Sequence, residues 1–98
     1  MHVSVRKYQT ASGTAEEVGR RVEAGFIPII SQAAGFVAYY AVNAGNDVVV
    51  SVSVFQDNAG ADESNRMAAH WVKQNLASLL PNPPEITAGD VMTSKVSS

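Results

Sequence analysis

The stretch DVVVSVSVF, from Asp47 to Phe55, has the composition of a β-strand but lacks a polar face. Side chains alternate between the two faces of a strand. One face here carries four valines, Val48, Val50, Val52 and Val54. The other carries small or apolar side chains after Asp47, namely Val49, Ser51, Ser53 and Phe55. A half-solvated strand shows a polar face, whereas a strand covered on both sides need not. The pattern therefore predicts a sheet that is covered on both faces.

A strand and an interrupted helix are predicted before this stretch. His2 to Gln9 alternates like a strand, and Thr14-Ala15-Glu16-Glu17 fits a capping box that starts a helix. Apolar residues then recur at spacings of three and four, at Val18, Val22, Phe26, Ile29 and Ala33. Pro28 cannot donate a hydrogen bond to the carbonyl four residues back, so we expect a kink or break near Gly25. Gly35 is a natural terminator of this helix.

The second half of the chain repeats this order of elements without repeating the residues. Phe36 to Val42 is predicted to be a strand, and NAGND at residues 43–47 supplies the turn of a hairpin. A second helix is predicted from Asn58 to about Leu80, where PNPP stops it. Its free amides are capped by Asp57 or Asn58. Glu85 to Val96 is predicted as the last strand, with a frayed polar tail at 93–98.

The predicted order β-α-β-β-α-β defines the ferredoxin-like class of α+β folds, in one domain over residues 1–98. Its four-stranded antiparallel sheet carries two helices on one face. The chain has no further element for the other face, so we expect a second copy to cover it across a two-fold axis. The sequence therefore predicts a homodimer formed through the sheet faces, a dimeric α+β barrel.

Composition excludes several functional classes. The net charge is −2, and the seven Lys and Arg residues are scattered, so a nucleic-acid partner is not expected. The chain has no cysteine for a disulfide, a thiolate nucleophile or a metal site. No apolar run approaches the ~20 residues that span a bilayer, and the strand-like start lacks a signal-peptide core. We expect a cytoplasmic protein without membrane contact. Short metal-binding and phosphate-binding motifs are also missing.

The segments GFVAYYAV, VVVSVSVFQDNAGADESN and AAHWVKQNL form a strand, hairpin and helix core. Through them, nearly the whole chain resembles the antibiotic biosynthesis monooxygenase-like (ABM) superfamily of dimeric α+β barrels. The resemblance implies a pocket between sheet and helices that holds an electron-rich aromatic molecule. It further implies a cofactor-independent monooxygenase, in which a small aromatic or quinol-like substrate itself reduces oxygen without flavin or metal.

The second helix supplies the first candidate site residues. Its projection places a buried stripe at Ala61, Ala68, Val72 and Leu79, with four polar or aromatic side chains in or beside it, Ser64, Asn65, Trp71 and Asn75. Asn65 is a candidate catalytic residue, because its amide can donate to a phenolate without carrying charge. Trp71 is the second, since it can stack on an aromatic ring. The alternatives are local hydrogen bonds for the polar residues and a core anchor for Trp71. His70 projects outward, together with Arg66 and Lys73.

The strands supply further candidates for substrate binding. Tyr39 and Tyr40 are adjacent, so they face opposite sides of the sheet and only one can face the pocket. Arg6 and Tyr8 share one face of the first strand. Arg6 is a candidate pocket cation, with a salt bridge at the barrel rim as the alternative. Ser64 and Asn75 complete the candidate binding set. His2 is expected to be terminal and mobile.

Two other functional hypotheses remain open at this level. One is a non-catalytic homodimer that binds a metabolite or a partner protein, in which Asn65 and Asn75 are structural and Trp71 plugs the pocket. The other is haem binding and degradation, which the outward-facing His70 disfavours.

Overall fold

The computed structural model describes residues 1–97, and its elements follow the predicted order. They are β1 (His2–Gln9), α1 (Ala15–Arg21), a π-helical turn (Val22–Phe26), α2 (Ile27–Ile30), β2 (Phe36–Gly45), β3 (Val48–Phe55), α3 (Asn58–Asn75) and β4 (Glu85–Asp90). The strands form one antiparallel sheet in the order β2-β3-β1-β4. The helices lie on one face of this sheet, which confirms the ferredoxin-like α+β class.

The first helix begins where predicted but is capped differently. Thr14 precedes α1, yet its hydroxyl donates to the carbonyl of Ala11 at 2.7 Å and makes no bond to a helix amide. The predicted capping box is therefore wrong. Glu17, its proposed acidic partner, instead accepts hydrogen bonds from Arg20 and Arg21, which lie three and four residues later on the same exposed surface.

The irregularity predicted near Gly25 is a π-helical turn. Pro28 has no N–H, and one residue before it the N–H of Ile27 donates to the carbonyl of Val22, five residues back. The helix axis continues through this wide turn into α2. The helix ends at Ile30 and not at Ala33, and the chain then turns through Gly35, whose φ of +78° suits glycine.

The hairpin between β2 and β3 turns at Asn46 and Asp47. Both have positive φ, +53° and +60°, which is the geometry of a type I′ turn. Such a two-residue turn keeps the right-handed twist of the strands, so β2 continues to Gly45, beyond the predicted end at Val42.

The second helix and the last strand are both shorter than predicted. Asp57 accepts a hydrogen bond from the amide of Gly60 at 2.9 Å, which confirms it as the cap of α3. The helix ends at Asn75 and not near Leu80, because the next turn brings Leu76 and Leu80 into the core. Strand β4 ends at Asp90 and not at Val96, and residues 91–97 have no regular structure. Residue 98 of the predicted tail lies outside the described residues.

The two faces of the sheet have the reverse of the usual polarity. The helix-covered face of β1 and β3 holds most of the polar side chains, including the buried residues His2, Ser4, Arg6, Ser51 and Ser53. The outer face holds the valine rows of both strands. Within it, Val52 of β3 pairs with Val5 of β1 and with Tyr40 of β2. No helix among residues 1–97 covers this apolar face.

The core lies between the helices and the covered face of the sheet. Its largest fully buried side chains are Phe55, Ile30, Leu76 and Val18. The ring of Phe26 packs beside them, 5.7 Å from the ring of Tyr39. Polar side chains of β1 and β3 lie beside this core on the covered face, and those of Ser4 and Arg6 contact Asn65 of α3.

Candidate functional site

A buried arginine lies at the centre of the covered sheet face. Arg6 of β1 is only 2% exposed, and it pairs in register with Ser51 of β3 and Ile86 of β4. Its guanidinium donates to the hydroxyls of Ser51 (3.2 Å) and Ser53 (3.0 Å) and to the side-chain oxygen of Asn65. All three acceptors are neutral. Arg6 forms no salt bridge within residues 1–97, so the alternative of a rim salt bridge is wrong for this part of the chain.

The orientation of the Asn65 amide follows from its neighbours. Arginine has only donors, so the atom of Asn65 that meets Arg6 must be the oxygen. The same oxygen accepts a second hydrogen bond from the hydroxyl of Ser4 at 2.8 Å. The NH₂ group of Asn65 is therefore directed away from both, and it has no hydrogen-bond partner within residues 1–97. Ser4 and Arg6 of the sheet thus hold the oxygen of Asn65 and leave its NH₂ group as a free donor on α3.

Two tyrosines lie close to the guanidinium without neutralising it. Burial raises the pKa of Tyr8, and the charge of Arg6 only partly opposes this rise. Burial also raises the pKa of Tyr39, again opposed by Arg6 and by a hydrogen bond with Ser51. Both phenols therefore stay protonated at neutral pH. The positive charge of Arg6 has no negative counterpart among these neighbours.

A cavity of about 480 Å³ opens beside Arg6 and Asn65. It lies between α3, the proline-rich loop after it, and strands β1 and β4. Its walls are mainly apolar, with side chains that include Tyr8, Val72, Leu80 and Ile86. The volume is within the ~300–1,000 Å³ of typical small-molecule sites. An apolar chamber with one amide donor and one cation at its base can hold an aromatic molecule and stabilise negative charge on it.

Lys73 is the second cation of this cavity, and the sequence prediction missed it. It was assigned to the solvated face together with His70. Lys73 is exposed, but it lines the cavity together with Asn65, Ala69 and Val72. These four residues follow the spacing i, i+4, i+7, i+8 that defines one helix face. That spacing, counted from Asn65, is the sequence signal that identifies the cavity wall. Pro81 to Pro84 were interpreted only as a helix stop, yet they form the opposite wall.

Ser64 and Asn75, two of the predicted binding residues, do not line this cavity. Ser64 is fully buried, and its hydroxyl donates to the carbonyl of Ala61 at 2.7 Å. Asn75 is exposed, and its amide donates to the carbonyl of Trp71 at 2.9 Å. Both are local helix hydrogen bonds, the alternative considered for these residues from the sequence.

The aromatic candidates lie on other surfaces. Trp71 packs against the π-helical turn, 5.5 Å from the ring of Phe26, and does not line the cavity. Tyr39 and Tyr40 face opposite sides of the sheet, as predicted. Tyr39 packs edge-on against Phe26 on the covered face, outside the cavity. Tyr40 is 59% exposed on the outer face.

Neither histidine lies in the cavity. His70 is exposed on α3, as predicted. His2, expected to be mobile, is instead a buried residue of β1 whose Nδ1 lies 3.0 Å from a carboxylate oxygen of Asp90. This contact lowers the pKa of the Asp90 carboxyl. Within residues 1–97 no three His, Asp or Glu side chains come together as a metal site. None of the helices described there is long and apolar enough to cross a bilayer.

Solved structures share this fold over nearly the whole chain. A protein of unknown function from Nitrosomonas europaea superposes with a TM-score of 0.81 at 20% identity, covering 99% of this chain and 94% of that one. A monooxygenase from Streptomyces coelicolor in complex with nanaomycin D gives 0.76 at 17%, covering 99% and 92%. A candidate antibiotic biosynthesis monooxygenase from N. europaea gives 0.76 at 10%, covering 95% and 100%. The chain has the ABM-like fold that the sequence resemblance implied.

Sequence comparisons add nothing to this likeness, since no family model and no curated protein matches the chain. At such low identities the structural neighbours establish only the fold, so the chemistry must be inferred from the residues of the cavity.

Proposed function

We propose that the chain is a cofactor-independent monooxygenase that oxidises a small aromatic or quinol-like molecule in the cavity beside α3. The observation that carries the proposal is the Asn65 amide. Its oxygen is held by Ser4 and Arg6, and its NH₂ group is left free at the wall of an apolar cavity. A donor held in this way stabilises negative charge that develops on a substrate oxygen. The shared fold with a monooxygenase supports the same class of reaction.

The proposed reaction draws its electrons from the substrate. An aromatic molecule with an acidic C–H group loses a proton, and the charge spreads onto a ring oxygen that Asn65 and Arg6 stabilise. The electron-rich carbon then reduces O₂. Overall, that carbon loses two hydrogens and gains one oxygen atom, and the second oxygen atom leaves as water. No Asp, Glu or His lines the cavity within the described residues. The proton therefore passes to water, which favours substrates that are acidic without a protein base.

We also infer that two copies associate through the outer sheet faces. The support is the apolar surface formed by the valines of β1 and β3 and by Tyr40 and Val42 of β2, the last two 59% and 46% exposed. A contiguous apolar face of this kind marks an interaction surface. Two-fold pairing would cover it with the same residues from each copy.

A non-catalytic binding protein is the second candidate function. The observation that favours it is the position of Trp71, which packs on Phe26 and Gly25 and leaves the cavity without its predicted aromatic catalytic residue. Such a protein would bind aromatic ligands in the same cavity and consume no oxygen.

Oxygen uptake by metal-stripped protein tests the proposal, with anthrones, naphthols and hydroquinones as substrates. We expect uptake that needs no added cofactor and that falls about 100-fold in Asn65→Ala, the usual cost of losing one such donor. Asn75→Ala is the matched control, because it makes the same change on the same helix outside the cavity. Trp71→Phe tests the role predicted from the sequence, and we expect it to lower uptake far less than Asn65→Ala.

Uptake that is equal in the wild type and Asn65→Ala would contradict the proposal. Ligand binding in the cavity without uptake for any substrate of the panel would favour the binding protein.

A further inference from the structure

The charges around the cavity are one-sided. The chain as a whole is acidic, with nine Asp and Glu against seven Lys and Arg. The cavity nevertheless is lined by two cations, Arg6 and Lys73, and by no carboxylate among the described residues. In a small acidic protein, acidic side chains are numerous enough to pair with surface cations, as Glu17 and Glu63 do elsewhere on the helices. Arg6 and Lys73 have no acidic partner among the described residues, so the cavity lining carries a net positive charge.

The two cations differ in depth. Arg6 is buried at the base, where removal from water makes an unpaired charge costly. Its acceptors are two serine hydroxyls and one amide oxygen, which orient the guanidinium but do not neutralise it. Lys73 is exposed, two helical turns beyond Asn65 on the same face of α3. The apolar walls between them suit an aromatic ring.

We propose that the cavity selects aromatic ligands that carry a negative charge. Arg6 attracts the negative charge at the base of the cavity, and Lys73 attracts it nearer to the solvent. This selectivity rests on the proposed function, since it concerns the ligand of the same site. The ligand class is an aromatic acid or an ionised phenol. The anion supplies the missing counter-charge of Arg6, whose side chain is only 2% exposed and is therefore weakly screened by water. A neutral aromatic of the same shape gains the apolar contacts only.

Calorimetric titration with a matched pair of ligands tests the selectivity. The probes are 2-naphthoate and its neutral isostere 2-naphthamide, neither of which needs to be turned over. We expect the wild-type protein to bind the carboxylate at least about tenfold more tightly, because hydrogen bonds to a charged acceptor are the stronger ones. The ratio should shrink as salt is added, since Lys73 is exposed and screened.

Variants assign the selectivity to the two cations. Lys73→Met should lower the preference for the carboxylate by about two- to fivefold, the range of an exposed ion pair, and leave the amide unaffected. Lys95→Met is the matched control, because it removes the same charge from residues 91–97, outside the cavity. Arg6→Gln should leave only the about two- to fivefold preference that Lys73 supplies. Arg6→Lys, which keeps the charge, should retain a larger preference and guards against a folding defect in the glutamine variant.

The outcomes distinguish a failure of the proposed ligand class from a failure of the proposed function. A carboxylate preference that Lys73→Met lowers and Lys95→Met does not would support the anionic ligand class. Equal binding of both probes would overturn that class while leaving the cavity as an aromatic site. Binding of neither probe, together with no oxygen uptake from the substrate panel, would overturn the proposed function as well.

Discussion

The guanidinium of Arg6 donates a hydrogen bond to the side-chain oxygen of Asn65, which joins the centre of the sheet to the wall of α3. The contact links residues 59 positions apart. It fixes which atom of the asparagine faces Arg6, because only the oxygen can accept from an arginine. The NH₂ group that remains is the donor on which the proposed chemistry depends. In the proposed function, Arg6 therefore acts on the substrate both through its charge and through the orientation of Asn65.

Replacing Asn65 by aspartate should separate stability from function. In Asn65→Asp the atom facing Arg6 is still an acceptor, now charged, and charge-assisted hydrogen bonds are about twice as strong as neutral ones. We expect the free energy of unfolding in urea to rise by about 1 kcal/mol at neutral pH. The variant has no donor for the ligand and neutralises Arg6, so the affinity for 2-naphthoate should fall at least about tenfold.

Asn65→Ala is the comparison for this experiment. It removes the acceptor and leaves one N–H of Arg6 and the O–H of Ser4 without this partner. The loss should lower the free energy of unfolding by about 1–3 kcal/mol. An Asn65→Asp protein that retains wild-type affinity for the anion would show that the amide NH₂ does not face the ligand.

The strand patterns predicted much of the sheet because they depend on local alternation. The two-faced apolar run at Val48–Phe55 and the opposite orientations of Tyr39 and Tyr40 follow from the strand period of two. The irregularity of the first helix was predictable from Pro28 for the same reason, since a missing N–H is a local property.

The site was less predictable because it depends on how distant elements meet. Arg6 lies against Ser51 only through the register of β1 on β3, and against Asn65 only through the rotation of α3. Trp71 was placed near the pocket by its position on the shoulder of the stripe. The actual packing surface of its ring is Gly25 in the π-helical turn, a conformation that no periodicity indicates.

The contact between Gly25 and Trp71 predicts a sharp difference between two glycines of one helix. A Cβ at Gly25 would lie 2.8 Å from Cζ2 of Trp71, whereas a Cβ at Gly19 has no neighbour within 4 Å. Gly25→Ala should therefore lower the free energy of unfolding by about 1–3 kcal/mol, because the indole must shift. Gly19→Ala should raise it by about 0.5–1 kcal/mol through helix propensity. Chemical denaturation monitored by circular dichroism measures both.

Trp71→Phe offers a check on the cause. If the steric contact is responsible, Gly25→Ala should cost less in the Trp71→Phe background than in the wild type, which a double-mutant cycle detects. An unchanged cost would assign the effect to the backbone of the π-helical turn.

The buried tyrosines predict a loss of stability at alkaline pH. Folding raises the pKa of Tyr8 and Tyr39, so above about pH 10 the unfolded chain loses these protons first. The folded state then binds more protons than the unfolded state, and the free energy of unfolding falls with rising pH by up to about 1.4 kcal/mol per unit for each group. Below that range neither phenol contributes a slope. Tyr8→Phe should reduce the alkaline slope, and Tyr8→Phe/Tyr39→Phe should reduce it further. Equal slopes in the wild type and the double variant would contradict this assignment.

The valine face of the sheet predicts the oligomeric state. Val52 lies at its centre, in register between Val5 and Tyr40. At micromolar concentration, light scattering should give twice the 10.4 kDa mass of the chain for the wild type. Val52→Lys should give the single mass, because a two-fold interface buries the unpaired charge twice. Ile29→Lys is the control, since Ile29 is 47% exposed on α2, away from the sheet face. It should remain a dimer. A wild type with the mass of a monomer would show that the chain does not form a dimeric barrel, and the apolar face would then need another partner.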